Sequence, residues 1–243
     1  MQLVFNMKPD TSDFVTGIHD FLALLPSLSS RRLFWPDWKH AMQIIRNDDA
    51  VYVERMRQEN FKADPSQLDS RPRDTFHASA YNEENEQGEI LVVATYRWGS
   101  SAILLPHLAL ELREPHPIHG LDISLFVETF DAVIAWKRPQ HASMAPPDYR
   151  MDLQPLDRAR RGIGWLGWIP FEVSAEDVPE AAIVQPMRGG TFLASQRDWW
   201  FAAGPRKDEA AIARAQALDL RLNYLGLLPT VEELRRGDWG RGG

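Results

Sequence analysis

Apolar residues recur at helical spacing near the start of the chain: in "TSDFVTGIHDFLALLP", Phe14, Ile18, Leu22 and Leu25 fall on one stripe. The spacing predicts a helix with Thr11 or Ser12 as N-cap and Pro26 as its stop. "RRLFW", residues 31–35, predicts a short strand. From Asp37 to about Phe61 a helical period runs through Trp38, Met42 and Ile45, then Tyr52 and Met56, interrupted at Asn47-Asp48-Asp49. The period then changes to two. "TFHASAYN" and "EILVVATYRW" are β-rich runs joined by the polar "EENEQG", whose Gly88 can take the positive φ of a turn. "SAILLPHLALEL" predicts a further strand, kept from being long and regular by Pro106.

From Asp122 to Trp136 the helical period returns, with Phe126, Phe130, Val133 and Ile134 on one face and Asp122 as N-cap. "AAIVQPM" and "TFLASQ", joined by "RGG", predict a second hairpin. Lys207 to Leu225 carries Ile212, Ala215, Leu222 and Leu225 in phase, with Gly226 placed to end the helix. Thr230 and Glu233 have the spacing of a capping box and start one short helix more. Hairpins outnumber plausible strand-helix-strand crossovers, which predicts an α+β fold: a mostly antiparallel sheet built from hairpins and packed by several helices. A single domain over 1–243 is expected, with a short flexible tail from about 237.

Composition narrows the functional classes. The chain is 44% hydrophobic and 25% charged, which a folded core requires and extensive disorder does not allow. Its net charge of -7 disfavours direct nucleic-acid binding, which Lys and Arg carry, and suits a basic protein partner. No Cys occurs, so disulfides, thiolate nucleophiles and Cys-type zinc sites are excluded. "MQLVFNMKPD" has neither a positive n-region nor an apolar h-region, and no apolar run reaches membrane-spanning length, so a cytoplasmic location is expected. Nine Trp are present, and burying one ring is worth about 5 kcal/mol as an upper bound, so most should lie in the core.

Three motifs invite a chemical reading. "GIGWLGWIP" places Gly162, Gly164 and Gly167 at the G-x-G-x-x-G spacing of phosphate-binding turns. Its setting fails: no buried strand precedes it, Pro170 follows closely, and no amphipathic helix comes after. In extended conformation Ile163, Trp165, Ile169 and Phe171 share one side and Leu166 and Trp168 the other, which predicts a strand buried on both faces. Pro9-Asp10 with Asp37-Trp38-Lys39 has the letters of a metal-dependent nuclease, but Asp10 falls at a helix start instead of on a strand hairpin. "EPHPIHGLD" offers Glu114, His116, His119 and Asp122 as ligands by type, on a loop too irregular to fix their geometry. No common catalytic signature is present, and no cofactor or metal is expected.

"GIGWLGW" also carries a resemblance. Gly164-Trp165, with Trp168 beyond it, resembles the GW motif of the immunity protein 52 family. Phe34-Trp35, the run Ile103 to Pro106, the Phe126 to Trp136 helix and the "LGLLP" ending at Leu225 to Pro229 are similar to that family in order and spacing. The resemblance implies an α+β immunity protein, without catalytic activity of its own, that neutralises a restriction-endonuclease-like DNase toxin of a bacterial type VI secretion or polymorphic toxin system. It implies a structural role for Gly164, Trp165 and Trp168, and it leaves the toxin-contact residues open.

The densest local charge, "NEENEQGE", supplies Glu83, Glu84, Glu86 and Glu89 as candidate toxin-binding residues facing a basic cleft. Two alternatives stand beside the inhibitor. One is a metal-dependent nuclease or hydrolase using Asp10, Asp37 and Lys39, or the Glu114 to Asp122 loop. The other is a small-ligand module with an aromatic-lined pocket.

Overall fold

The computed structural model describes residues 1–10, 12–29, 49–61, 75–83, 90–99, 105–112, 123–197 and 208–240. Its strands are β1 (Gln2–Asn6), β2 (Thr75–Glu83), β3 (Ile90–Gly99), β4 (His107–Leu112), β5 (His141–Ala145), β6 (Leu166–Ile169), β7 (Ile183–Pro186) and β8 (Thr191–Ala194). They form one eight-stranded antiparallel sheet in the order β2-β3-β4-β1-β5-β6-β8-β7. The helices are α1 (Phe14–Ser29), α2 (Asp49–Phe61), α3 (Ser124–Trp136), α4 (Glu209–Tyr224) and α5 (Val231–Arg236), with a π turn at Tyr149–Leu153. The fold is the expected α+β.

Alternation decides what each face of the sheet does. Leu3 and Phe5 of β1, Tyr96 and Trp98 of β3, Leu108 and Leu110 of β4, and Leu166 and Trp168 of β6 are buried in one core with Phe14, Ile18 and Phe21 of α1 and Phe126 and Phe130 of α3. Phe130 meets Phe5 of β1 and Phe192 of β8, with ring centroids 5.0 and 5.2 Å away. This one side chain spans from the central strand β1, across β5 and β6, to β8. On the opposite side, Leu218 and Leu222 of α4 cluster with Ile163, Ile169 and Leu193. β6 and β8 are thus covered on both faces, which explains apolar residues at consecutive positions there.

Local signals and local structure agree in several places. Both hairpins form, β2 with β3 and β7 with β8, and the Thr230–Glu233 capping box is complete at the start of α5. Gly226, with φ +70°, follows the Leu225 C-cap of α4.

Elsewhere the structure corrects the sequence reading. Asp13 receives the Val15 and Thr16 amide N–H groups at the start of α1, while Ser12 turns back to bond Asp10, and Thr11 lies outside the described residues. All three residue types cap helices well, so spacing alone could not choose between them. Pro26 lies inside α1 instead of ending it, and burial of Leu28 in the core holds the last turn. β6 covers only Leu166–Ile169, because Gly164 has φ +68° and breaks the extended run. Ile163 is thereby brought against Gly167, where an added Cβ would also lie 2.7 Å from the Ala142 carbonyl. The tail is held further than expected: Trp239 packs edge-on against Phe171 at 5.3 Å. The expected strand at 31–35 and the first part of the Asp37–Phe61 helix lie outside the described residues, as does Asp122, while the N-cap of α3 is Ile123 with no side-chain cap bond in place of the expected Asp122.

Trp165 is 1% exposed and meets Tyr149 edge-on, with centroids 4.7 Å apart. Replacing it by Ala leaves a ring-sized cavity, and the expected loss is about 3 to 5 kcal/mol of stability in denaturant unfolding. An unchanged unfolding midpoint would contradict the packing described.

Candidate functional site

Gly164, Trp165 and Trp168 belong to a buried junction. Asp219 of α4 accepts hydrogen bonds from the Ile163 N–H at 2.8 Å, the Gly164 N–H at 3.3 Å and the Tyr149 hydroxyl at 2.9 Å. Burial pushes the Asp219 carboxyl up to about 6, against the pull of those three donors. The same burial and the neighbouring carboxylate push the Tyr149 hydroxyl up, so it remains a donor. Trp168 is fully buried and its indole N–H donates to the Met187 carbonyl at 2.9 Å. These side chains shape the fold and offer a partner no surface.

Of the acidic run, Glu83 alone falls within a described strand. β2 is a terminal strand of the sheet, and Glu83 pairs with Ile90 where β2 and β3 end, after an irregularity between Tyr81 and Glu83. Glu84, Glu86 and Glu89 occupy the connection in sequence and lie outside the described residues.

Asp10 is engaged in an ion-pair cluster. Lys137, the C-cap of α3, reaches Asp10 at 2.7 Å and Asp20 of α1 at 2.6 Å, and donates to the Tyr96 hydroxyl at 3.1 Å. Burial opposes the ammonium charge, but the two carboxylates and Tyr96 together hold Lys137 above its ordinary range. Burial likewise opposes the Asp10 charge, and hydrogen bonds from Lys137 and Ser12 outweigh it and hold the carboxyl low. A cation is already supplied to both carboxylates, and the cluster joins the start of α1 to the end of α3. Asp37, Lys39, Glu114, His116, His119 and Asp122 lie outside the described residues. Among the described residues no group of three or more His, Asp or Glu could hold a metal ion, and no helix is long and apolar enough to cross a membrane.

Sequence reasoning missed a basic cavity beside the Gly162–Gly164 segment. It has a volume of about 270 Å³ and is lined by Asn6 of β1, Ser143 of β5, Arg150 of the π turn, Gln154 and Arg161. "DRARRG", residues 157–162, was the only sequence signal, and nothing marked Arg150. Next to Asn6 lies His141, fully buried, whose Nδ1 accepts from the Asn6 amide at 3.2 Å while its Nε2 has no partner among the described residues.

Burial, then the charges of Arg150 and Arg161, press the His141 imidazole down to about 3 from an ordinary 6.5. A depressed folded value means that the stability this neutral ring contributes is present above pH 6.5 and is lost as pH falls toward 3. By pH 5 the loss is about 2 kcal/mol. Asp219 has the opposite sign, its raised value adding stability as pH falls below 6. The variant His141→Gln keeps Asp219 and removes the imidazole, so its stability should fall by about 2 kcal/mol less than wild type between pH 7 and 5 in urea unfolding. Identical pH slopes would contradict the assignment.

No protein-family model matches the chain, and no curated protein is significantly similar to it.

Proposed function

We propose that this chain is an immunity protein: a stoichiometric inhibitor that binds and neutralises a restriction-endonuclease-like DNase toxin of a bacterial type VI secretion or polymorphic toxin system. Its place of action is the cytoplasm of the producing cell. The resemblance in "GIGWLGW" and the ordered segments around it supplies the toxin class. The structural observation that supports a binding role is the terminal β2–β3 hairpin, whose connection carries the densest acidic run of a chain with net charge -7. A DNase must hold a polyanion in a positively charged cleft, so an acidic partner is attracted to the surface it has to block. The buried Trp165 and Trp168 support that hairpin only indirectly, through the sheet. The nuclease alternative gains nothing from Asp10, which is paired with Lys137.

The direct test is plasmid cleavage by the cognate toxin, the product of the neighbouring reading frame, with this chain added. Cleavage should be abolished at one molar equivalent, with the pair co-eluting as a complex. Undiminished cleavage at tenfold excess would contradict the proposal. Within that complex, replacing Glu83, Glu84 and Glu86 together by Lys should slow association about tenfold or more at low salt and flatten its salt dependence. Equal association rates at every ionic strength would remove this turn from the interface.

A further inference from the structure

The face of β1 and β5 turned away from α1 and α3 carries Val4 and Asn6 opposite Ser143 and His141. Arg150 is drawn across this face by four hydrogen bonds: to the Gln2 side chain at 2.9 Å, the Gln2 carbonyl at 2.8 Å, and the Ser143 carbonyl and hydroxyl at 3.3 Å each. Every one of these acceptors is neutral. Arg161 faces the same cavity, and its side chain donates to the Arg158 carbonyl at 3.2 Å. Among the described residues neither guanidinium has a carboxylate within salt-bridge distance, and no carboxylate lines the cavity.

Such a pairing is costly where both guanidiniums are partly withdrawn from water. Burial first, then Arg161, lowers Arg150 to about 10, and Arg161 is lowered by burial and by Arg235. Shortage of acidic residues is no explanation, because the chain has 34 Asp and Glu against 27 Lys and Arg. Among the described residues the one buried acid, Asp219, is committed to the Ile163 and Gly164 N–H groups and to Tyr149. Two converging guanidiniums with unspent N–H donors, beside the Ser143 hydroxyl and the amides of Asn6 and Gln154, form the donor set that planar or tetrahedral oxyanions bind.

We propose that the cavity between β1, β5 and the π turn binds a small-molecule oxyanion, a phosphate or carboxylate group, between Arg150 and Arg161. Its volume of about 270 Å³, near the lower end of the range of ligand pockets, suits a small anionic metabolite. The anion supplies the negative charge that no described residue places in the cavity. This inference does not depend on the toxin-binding proposal.

The test is calorimetric titration of the purified full chain with inorganic phosphate and, separately, with malonate, against sodium chloride at matched ionic strength. One site per chain with Kd below about 1 mM is expected for at least one probe, with a rise in melting temperature. Binding of phosphate alone assigns a phosphorylated ligand, and binding of malonate alone assigns a carboxylic acid. Arg161→Gln, whose side chain makes among the described residues only the Arg158 hydrogen bond, should fold normally and weaken binding at least tenfold. Arg150→Lys, which keeps the charge and loses the planar fork, should weaken it as well. Neither probe binding beyond the chloride control, or unchanged affinity in Arg161→Gln, would overturn the proposal.

Discussion

The buried carboxylate of Asp219 is the constraint on which the rest of the structure turns. Leaving a carboxylate in an apolar interior costs several kcal/mol unless donors surround it, and here two consecutive backbone N–H groups and a phenol do so. The arrangement has a mechanical consequence. β5 and β6 share only the register pairs Ala142–Trp168 and Ser143–Gly167, the shortest pairing in the sheet, so the five strands on one side and three on the other are joined by little backbone. Asp219 reinforces that joint from α4 by fixing Ile163 and Gly164, next to the Met144–Gly164 bridge. Phe130 reinforces it from the other face through Phe5 and Phe192.

The conformation of Gly164 follows from the same joint. Its positive φ lets the chain leave the Asp219 clamp, set Trp165 against Tyr149 and enter β6 with Leu166 and Trp168 directed to the main core. The Gly-Trp pair that carries the family resemblance is therefore a packing device. Any functional surface lies elsewhere, and the two candidates have opposite charge: an acidic connection at the terminal hairpin and a basic cavity against the middle of the sheet. Among the described residues of this net acidic chain, Arg150 and Arg161 have no carboxylate within salt-bridge distance.

What the sequence made legible was local. Alternation and a turn glycine marked β2–β3 and β7–β8, and Thr230 with Glu233 marked the start of α5, because each signal and its partner lie within a few residues. Placement of the first strand at the centre of the sheet, between β4 and β5, was illegible, since Leu3 pairs with residues more than a hundred positions away. The same distance hid Lys137 from Asp10, so a carboxylate that resembled half of a nuclease motif proved to be one end of an ion pair. Pro26 misled because a single lost hydrogen bond is outweighed by burial of Leu28 beyond it. Arg150 gave no warning and Arg161 only its place in a basic run, because their meaning depends on which groups the fold sets around them.

Amide hydrogen exchange at Ile163 and Gly164, in wild type and in Asp219→Ala, tests the central claim about this joint most directly. Both amides should exchange in wild type only on global unfolding, as slowly as the core of β6, and should lose that protection selectively in the variant. Rapid exchange of the two amides in wild type, or unchanged protection without the carboxylate, would contradict the account.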